Sequence, residues 1–291
     1  MIDPTIIVTI FFTSFFLGSL YAMIAMGLSL IYGAVRLLNF AHGAIMVTCG
    51  YTTWIFFTVL GLPFSVSVVL AVAFNFLIGV GLELIMRPIR GVKGWVVTTI
   101  TITTGISMVI QNTIRGIFGA RARALPSMLT GGFALFGFTV TYNKLAIGAI
   151  SILVLILMWL YLKRTDYGRA IRAVSQDMVA AKLMGIDVNR VYILTFGISC
   201  AMAGIAGSLL GSVLFITPTM GIEPMLKAFV IVVFGGIGSI KGTLYACYIL
   251  GLVEAITSLV FGLSWVLPVE FGFMIAVLII RPRGLFGEEE I

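Results

Sequence analysis

Long apolar runs, separated by short polar or charged breaks, organise this chain from end to end. A helix needs about 20 apolar residues to cross roughly 30 Å of hydrocarbon, so runs of that length can be counted as spans. Residues 4–35 hold one span. The run 37–82 is too long for one and divides at Gly61-Leu62-Pro63, where glycine and proline favour a tight turn. Residues 94–114, 145–162 and 191–216 supply one each, and 226–280 is interrupted at 235–242 (GGIGSIKG) and again at 262–268. The pattern predicts an all-α polytopic membrane protein with eight or nine crossings, re-entrant or broken segments among them, in one domain covering 1–291.

Composition sharpens this. Hydrophobic residues make up 60% of the chain and charged ones 10%, against about 25% charged in an average soluble domain. The net charge of +7 could suggest nucleic acid, but the basic residues fall in short loops between apolar runs, so no nucleic-acid partner is expected. Such loops typically mark the cytoplasmic side. The loop 86–94 (MRPIRGVKG), the block 163–190 and the tail 281–284 (RPRG) therefore read as cytoplasmic, which puts the C-terminus inside and, with an odd number of crossings, the N-terminus outside. Arg115, Arg121 and Arg123 run against that rule in the loop 115–143, whose glycines and proline suggest short re-entrant or surface structure. The N-terminus lacks a basic region and a small-residue cleavage site and reads as a retained first span, with Asp3-Pro4 suiting a helix start. Cys49, Cys200 and Cys247 lie in apolar runs without metal-ligand spacing. Gly207 and Gly211, following Ala201, Ala203, Gly204 and Ala206, form a small-residue face for helix packing or for a dimer interface.

The block from Lys163 to Arg190 gathers nine of the 29 charged residues into 28 positions. Ile171, Val174, Met178 and Ala181 fall at helical spacing and form one apolar stripe. Thr165 or Asp166 can cap the start, Gly185 can end the helix, and Ile186-Asp187 leads back to the membrane. An amphipathic helix of this kind docks in a partner's groove or lies flat on lipid headgroups.

A few polar residues stand alone in apolar surroundings. Asn39 and His42 open the second span and read either as a hydrogen-bonded helix start or as lining of a translocation path. Glu254 and Glu270 are costly inside a bilayer and need a partner; Glu254 would pair with Lys227 or Lys241, or meet a substrate ammonium. Glu83 and Arg87 are spaced i, i+4 as an interfacial ion pair; Glu223 and Lys227, also i, i+4, stand at the outer end of a later segment where an outside partner protein would meet them; and Glu288-Glu289-Glu290 reads as a solvated tail. Neither a metal nor a cofactor is expected, and no phosphate loop is present, because Lys241 precedes Gly242 in the nearest glycine-rich stretch.

Three segments carry a resemblance. TDYGRAIRAVSQDMVAAKLMGIDVNRV with the following LTFGISCAMAGIAGSLLG, GLSLIYGAVRLLNFAHGAIMVTCGY (27–51), and VIVVFGGIGSIKGTLYACYILGLVE (230–254) resemble signatures of the permease subunits of branched-chain amino acid ABC importers, with urea and short-chain amide importers as close relatives. The resemblance implies an ABC importer permease fold in a bacterial inner membrane, and four kinds of partner. These are a second homologous permease, two cytoplasmic ATPase subunits that use the ATP, a periplasmic substrate-binding protein, and membrane lipid. It also implies that the charged block carries a degenerate EAA-type coupling motif, with Val179 where the motif has Glu, and that Arg172, Asp177, Ala180, Ala181, Gly185, Ile186 and Asp187 contact the ATPase. The residues expected to line the pathway are Asn39, His42 and Glu254. A lone ion-coupled transporter using Glu254 and Glu270, and an intramembrane enzyme using His42, are the competing readings.

Overall fold

The computed structural model describes residues 4–90, 92–135, 138–282 and 284–286. Asp3, Gly91, Arg283 and the acidic tail at 288–290 lie outside the described residues. Among the described residues six helices are long and apolar enough to cross a membrane, covering 5–35, 64–89, 142–164, 188–211, 240–260 and 263–280. The elements run α1 (Pro4–Val35), α2 (His42–Trp54), α3 (Phe64–Met86), α4 (Trp95–Phe118), β1 (Gly132–Leu135), β2 (Phe138–Thr141), α5 (Tyr142–Arg164), α6 (Asp166–Gln176), α7 (Met178–Leu183), α8 (Val188–Gly211), α9 (Ile222–Gly235), α10 (Ile240–Val260) and α11 (Val266–Ile280). A π-helical turn, 55–59, extends α2.

The centre of the bundle is α1 and α8. The first packs along α10, α8, α9 and α5, and the second along α3, α1 and α2. In lipid no hydrophobic effect drives helices together, so close backbone approach at small residues must do it. Gly207 of α8 lies so near the Met46 carbonyl of α2 that a Cβ would collide with backbone. Asn75 of α3 ties three helices at the same level, its Nδ2 donating to the carbonyls of Ile45 (3.2 Å) and Cys200 (2.9 Å). The small-residue face expected at 201–211 therefore packs within this chain, where Gly204 meets Asn75 and Cys49 and Gly211 meets Ile216 and Leu125.

Two helices begin inside the bundle. After α1 the chain turns back, and His42 at the first position of α2 contacts the Ile24 carbonyl, 11 residues before the end of α1. The stretch 212–221 likewise runs back from the end of α8, pairs Ile216 with Arg123, and brings Gly221 against Gly43. The spans counted as 37–60 and 191–216 are thus each an irregular stretch plus helix. Apolar run length registers neither break, because the returning segments are themselves uncharged.

One addition to the all-α expectation falls in the loop 115–143. β1 and β2 form an antiparallel hairpin, with Gly132 opposite Thr141 and Phe133 opposite Val140. Threonine, valine and phenylalanine favour that pleated surface. Here too lies the reason one arginine tolerates this loop: Arg123 stacks its guanidinium 4.5 Å above the Trp54 ring and donates to the Phe118 carbonyl at 3.2 Å.

Candidate functional site

The charged block folds into two helices. Thr165 caps α6, its Oγ1 accepting from the Gly168 amide at 3.0 Å. Ile171 and Val174 turn inward, and the Arg172 guanidinium donates to the Leu162 carbonyl in the last turn of α5, where backbone acceptors are otherwise unmet. At Asp177 the backbone becomes extended, and its carboxylate accepts from the amides of Val179 (2.8 Å) and Ala180 (3.0 Å) to cap α7. The single helix expected through Met178 is therefore wrong at this point, because Asp177 bonds its own following backbone and starts a new helix. The break also reorients the stripe. Ala181 is buried as expected, but Met178 is half exposed and its sulfur receives the Tyr192 hydroxyl at 3.1 Å.

Gly185 closes α7 with φ +84°, a conformation that favours glycine. The Gly185 amide bonds the Lys182 carbonyl and the Ile186 amide bonds the Ala181 carbonyl, both at 3.1 Å, the pair of bonds that defines a Schellman stop. Asp187 then caps α8 through the amides of Asn189 (3.1 Å) and Arg190 (3.2 Å). Three consecutive caps in 23 residues hold a small, separately defined projection on the bundle.

Its outer face sets bare apolar side chains beside the exposed Lys182. Leu183 and Met184 are each 82% exposed and Val179 is also exposed, whereas Arg172 and Asp177, two of the residues expected to contact the ATPase, are both bonded within the chain. Sequence reasoning missed Leu183 and Met184. The available signal was two large apolar residues immediately before the glycine stop in an otherwise polar block. Behind the projection lies a cavity of about 530 Å³ lined by Arg36, Arg90, Trp95, Asp177, Met178 and Tyr192. Arg90 stacks 4.2 Å over the Tyr192 ring and pairs with the buried Glu83, linking the end of α3 through α8 to α7. The expected Glu83–Arg87 pair is thereby corrected: α3 ends at Met86, and the tight turn through Pro88 brings Arg90 back to Glu83.

The pathway candidates separate into two places. Asn39 Oδ1 accepts from the Ala41 amide at 3.0 Å, and His42, fully buried, lies 3.1 Å through Nε2 from the Ile24 carbonyl, so Nε2 is the donor. Asn39 Nδ2 and His42 Nδ1 have no partner among the described residues. Glu254 lies elsewhere, on α10. Of its two expected lysine partners it takes Lys227, at 2.6 Å, and the Tyr21 hydroxyl also reaches it at 3.3 Å. Lys227 bonds Glu223 at 3.0 Å as its spacing predicted. Nothing in the sequence pointed to Tyr21.

A chain that places its paired charges among membrane-length helices and leaves Leu183 and Met184 bare at one end is a polytopic helical membrane protein. The family model described as branched-chain amino acid transport system / permease component matches residues 10–280, and the chain belongs to that family. It is 33% identical over 292 residues, 94% of each chain, to the high-affinity branched-chain amino acid transport system permease protein BraD of Pseudomonas aeruginosa. To LivH of Escherichia coli K12, described in the same words, it is 32% identical over 293 residues, again 94% of each. Among solved structures, a chain of "PsaBC from Streptococcus pneumoniae in complex with Fab" shares the fold, with a TM-score of 0.50 at 12% identity, covering 93% of this chain and 91% of that one.

Proposed function

We propose that this chain is the membrane-spanning subunit of an ATP-driven importer of branched-chain or related amino acids in a bacterial inner membrane. A periplasmic binding protein delivers the substrate to it and to a second, homologous permease. Two cytoplasmic ATPase subunits bind and hydrolyse ATP, and α6–α7 is the segment they move. α2 and α9, each with its returning stretch, count as one crossing; with the seven longer helices this gives nine, an outer N-terminus and a cytoplasmic C-terminus. The permease itself makes no covalent change in the substrate; it supplies a pathway with two states whose balance the ATPases bias.

The supporting observation is the separately capped α7, which leaves Leu183 and Met184 in solvent while Ala181 holds the helix to the bundle. The test uses the whole complex in proteoliposomes. Ala181→Asp or Gly185→Glu leaves the subunit in the membrane and ATP hydrolysis running, but uptake is lost. Normal uptake by either variant overturns the coupling role, and ion-driven uptake by this chain alone overturns the importer assignment.

A further inference from the structure

Four helices meet around one buried lysine, and one carboxyl beside it has nothing to bond. Lys227 on α9 is 2% exposed, and an ammonium has three protons to donate. All three are committed: to Glu254 Oε1 on α10 at 2.6 Å, to Glu223 Oε1 on α9 at 3.0 Å, and to the Tyr21 oxygen on α1 at 3.0 Å. The Tyr21 hydroxyl proton goes to Glu254 Oε1 at 3.3 Å. No donor of this cluster is left over.

Glu270, on α11, is 0% exposed, and both its oxygens lack a donor among the described residues; so does the second oxygen of Glu254, Oε2. α11 packs against α9 and α10, the helices that carry Lys227 and Glu254, which sets the Glu270 carboxyl beside that cluster. Two ionised carboxylates in that relation repel, and a buried charge without a partner is not tolerated in a low-dielectric interior. The single positive charge is already matched by Glu254, with the more exposed Glu223 as a further acceptor. One proton between the two carboxyls removes the repulsion and gives Glu254 Oε2 its missing donor. A metal ion is a poorer fit, since no group of three or more His, Cys, Asp or Glu with metal-binding geometry occurs among the described residues.

We propose that Glu270 is a proton-binding site: it carries a proton, donates it as a hydrogen bond to Glu254 Oε2, and in this neutral form seats α11 on the rest of the bundle. The titratable groups near enough to act on it are Glu223 and Lys227 from α9, Glu254 from α10 and Tyr21 from α1. The consequence is concentrated on one helix. Among the described residues α11 fully buries only Val266 besides Glu270, with Phe271, Phe273, Met274 and Val277 packed partly buried on the bundle, so loss of the proton puts a second negative charge at the helix's main polar attachment.

The test combines infrared spectroscopy with isosteric substitution in the reconstituted complex. A carboxylic acid absorbs apart from carboxylates and shifts in D2O. The wild type at neutral pH shows such a band, and Glu270→Gln removes it. Glutamine is neutral and can still donate to Glu254 Oε2, so Glu270→Gln keeps thermal stability near wild type and uptake within about twofold. Glu254→Gln, which strips Lys227 of its buried counter-charge, is clearly less stable. The proposal is overturned if no acid band depends on Glu270, if Glu270→Gln unfolds or loses uptake as Glu254→Gln does, or if Glu270-dependent uptake requires sodium.

Discussion

The projection at 165–190 and the cluster around Lys227 both depend on charged residues, yet they use them in opposite ways. In the projection each charge acts on its near neighbours: Asp177 and Asp187 cap the amides two and three positions on, and Arg190 pairs with Asp187 at 3.0 Å. These contacts sit in water, where ion pairs contribute little and backbone caps contribute more. Around Lys227 two of the three partners come from α1 and α10, 206 and 27 positions away, and are buried. Charge in the loop sets local shape; charge in the bundle fixes which helices meet.

That difference predicts very different sensitivities. The largest effect is expected for Lys227→Met, which leaves Glu254 buried without its counter-charge. Breaking one side of a buried pair costs about 3–5 kcal/mol, enough to lower the melting temperature and yield of the detergent-solubilised subunit severely. Adding Glu254→Gln should recover much of the loss, because the stranded charge is gone. If the double variant is no better than the single, the pair is not what makes Lys227 essential. A smaller effect is expected from Gly207→Ala, whose new methyl meets the Met46 carbonyl. Overpacking of this kind costs about 1–3 kcal/mol, read as a lower melting temperature, and an unchanged melt would mean that α2 and α8 can separate freely.

The same division explains what could be read from the sequence. Caps, the glycine stop and the i, i+4 pair of Glu223 with Lys227 depend on residues a few positions apart, so their spacing displays them. Even there the break at Asp177 does not show, because a residue that can cap a new helix has the same spacing as one lying on the surface of a continuous helix. The partners of Glu254 were narrowed to two lysines, since an intramembrane carboxylate needs a cation, but Tyr21 carries no charge and gave no signal. Glu83 was assigned to Arg87 by spacing, and lost it because the chain bends at Pro88. The returning stretches before α2 and α9 were hidden for another reason: hydropathy measures apolar length and not direction.

Within the projection the effects are smaller and divide by chemistry. Asp177→Ala removes the cap of α7, worth about 1 kcal/mol, and should lower ATP-coupled uptake several-fold with little change in global stability. Asp177→Asn keeps a capping oxygen and should retain most uptake. Should Asn behave like Ala, the negative charge itself meets the ATPase and the capping role is secondary.

Replacing both Leu183 and Met184 by serine is expected to change the stability of the isolated subunit least of all. Each is 82% exposed, and surface substitutions of this kind stay within about 0.5 kcal/mol. Their effect belongs to the assembly. Two adjacent bare apolar side chains on a rigidly capped turn are a suitable anchor for an apolar groove, and anchors near the centre of an interface carry most of its binding energy. Co-purification of the ATPase subunits with the double serine variant should therefore fall at least tenfold while its melting temperature is unchanged. If the complex assembles normally, the ATPase grips α6 or the loop 86–94 instead, and α7 owes its separate caps to some need other than docking.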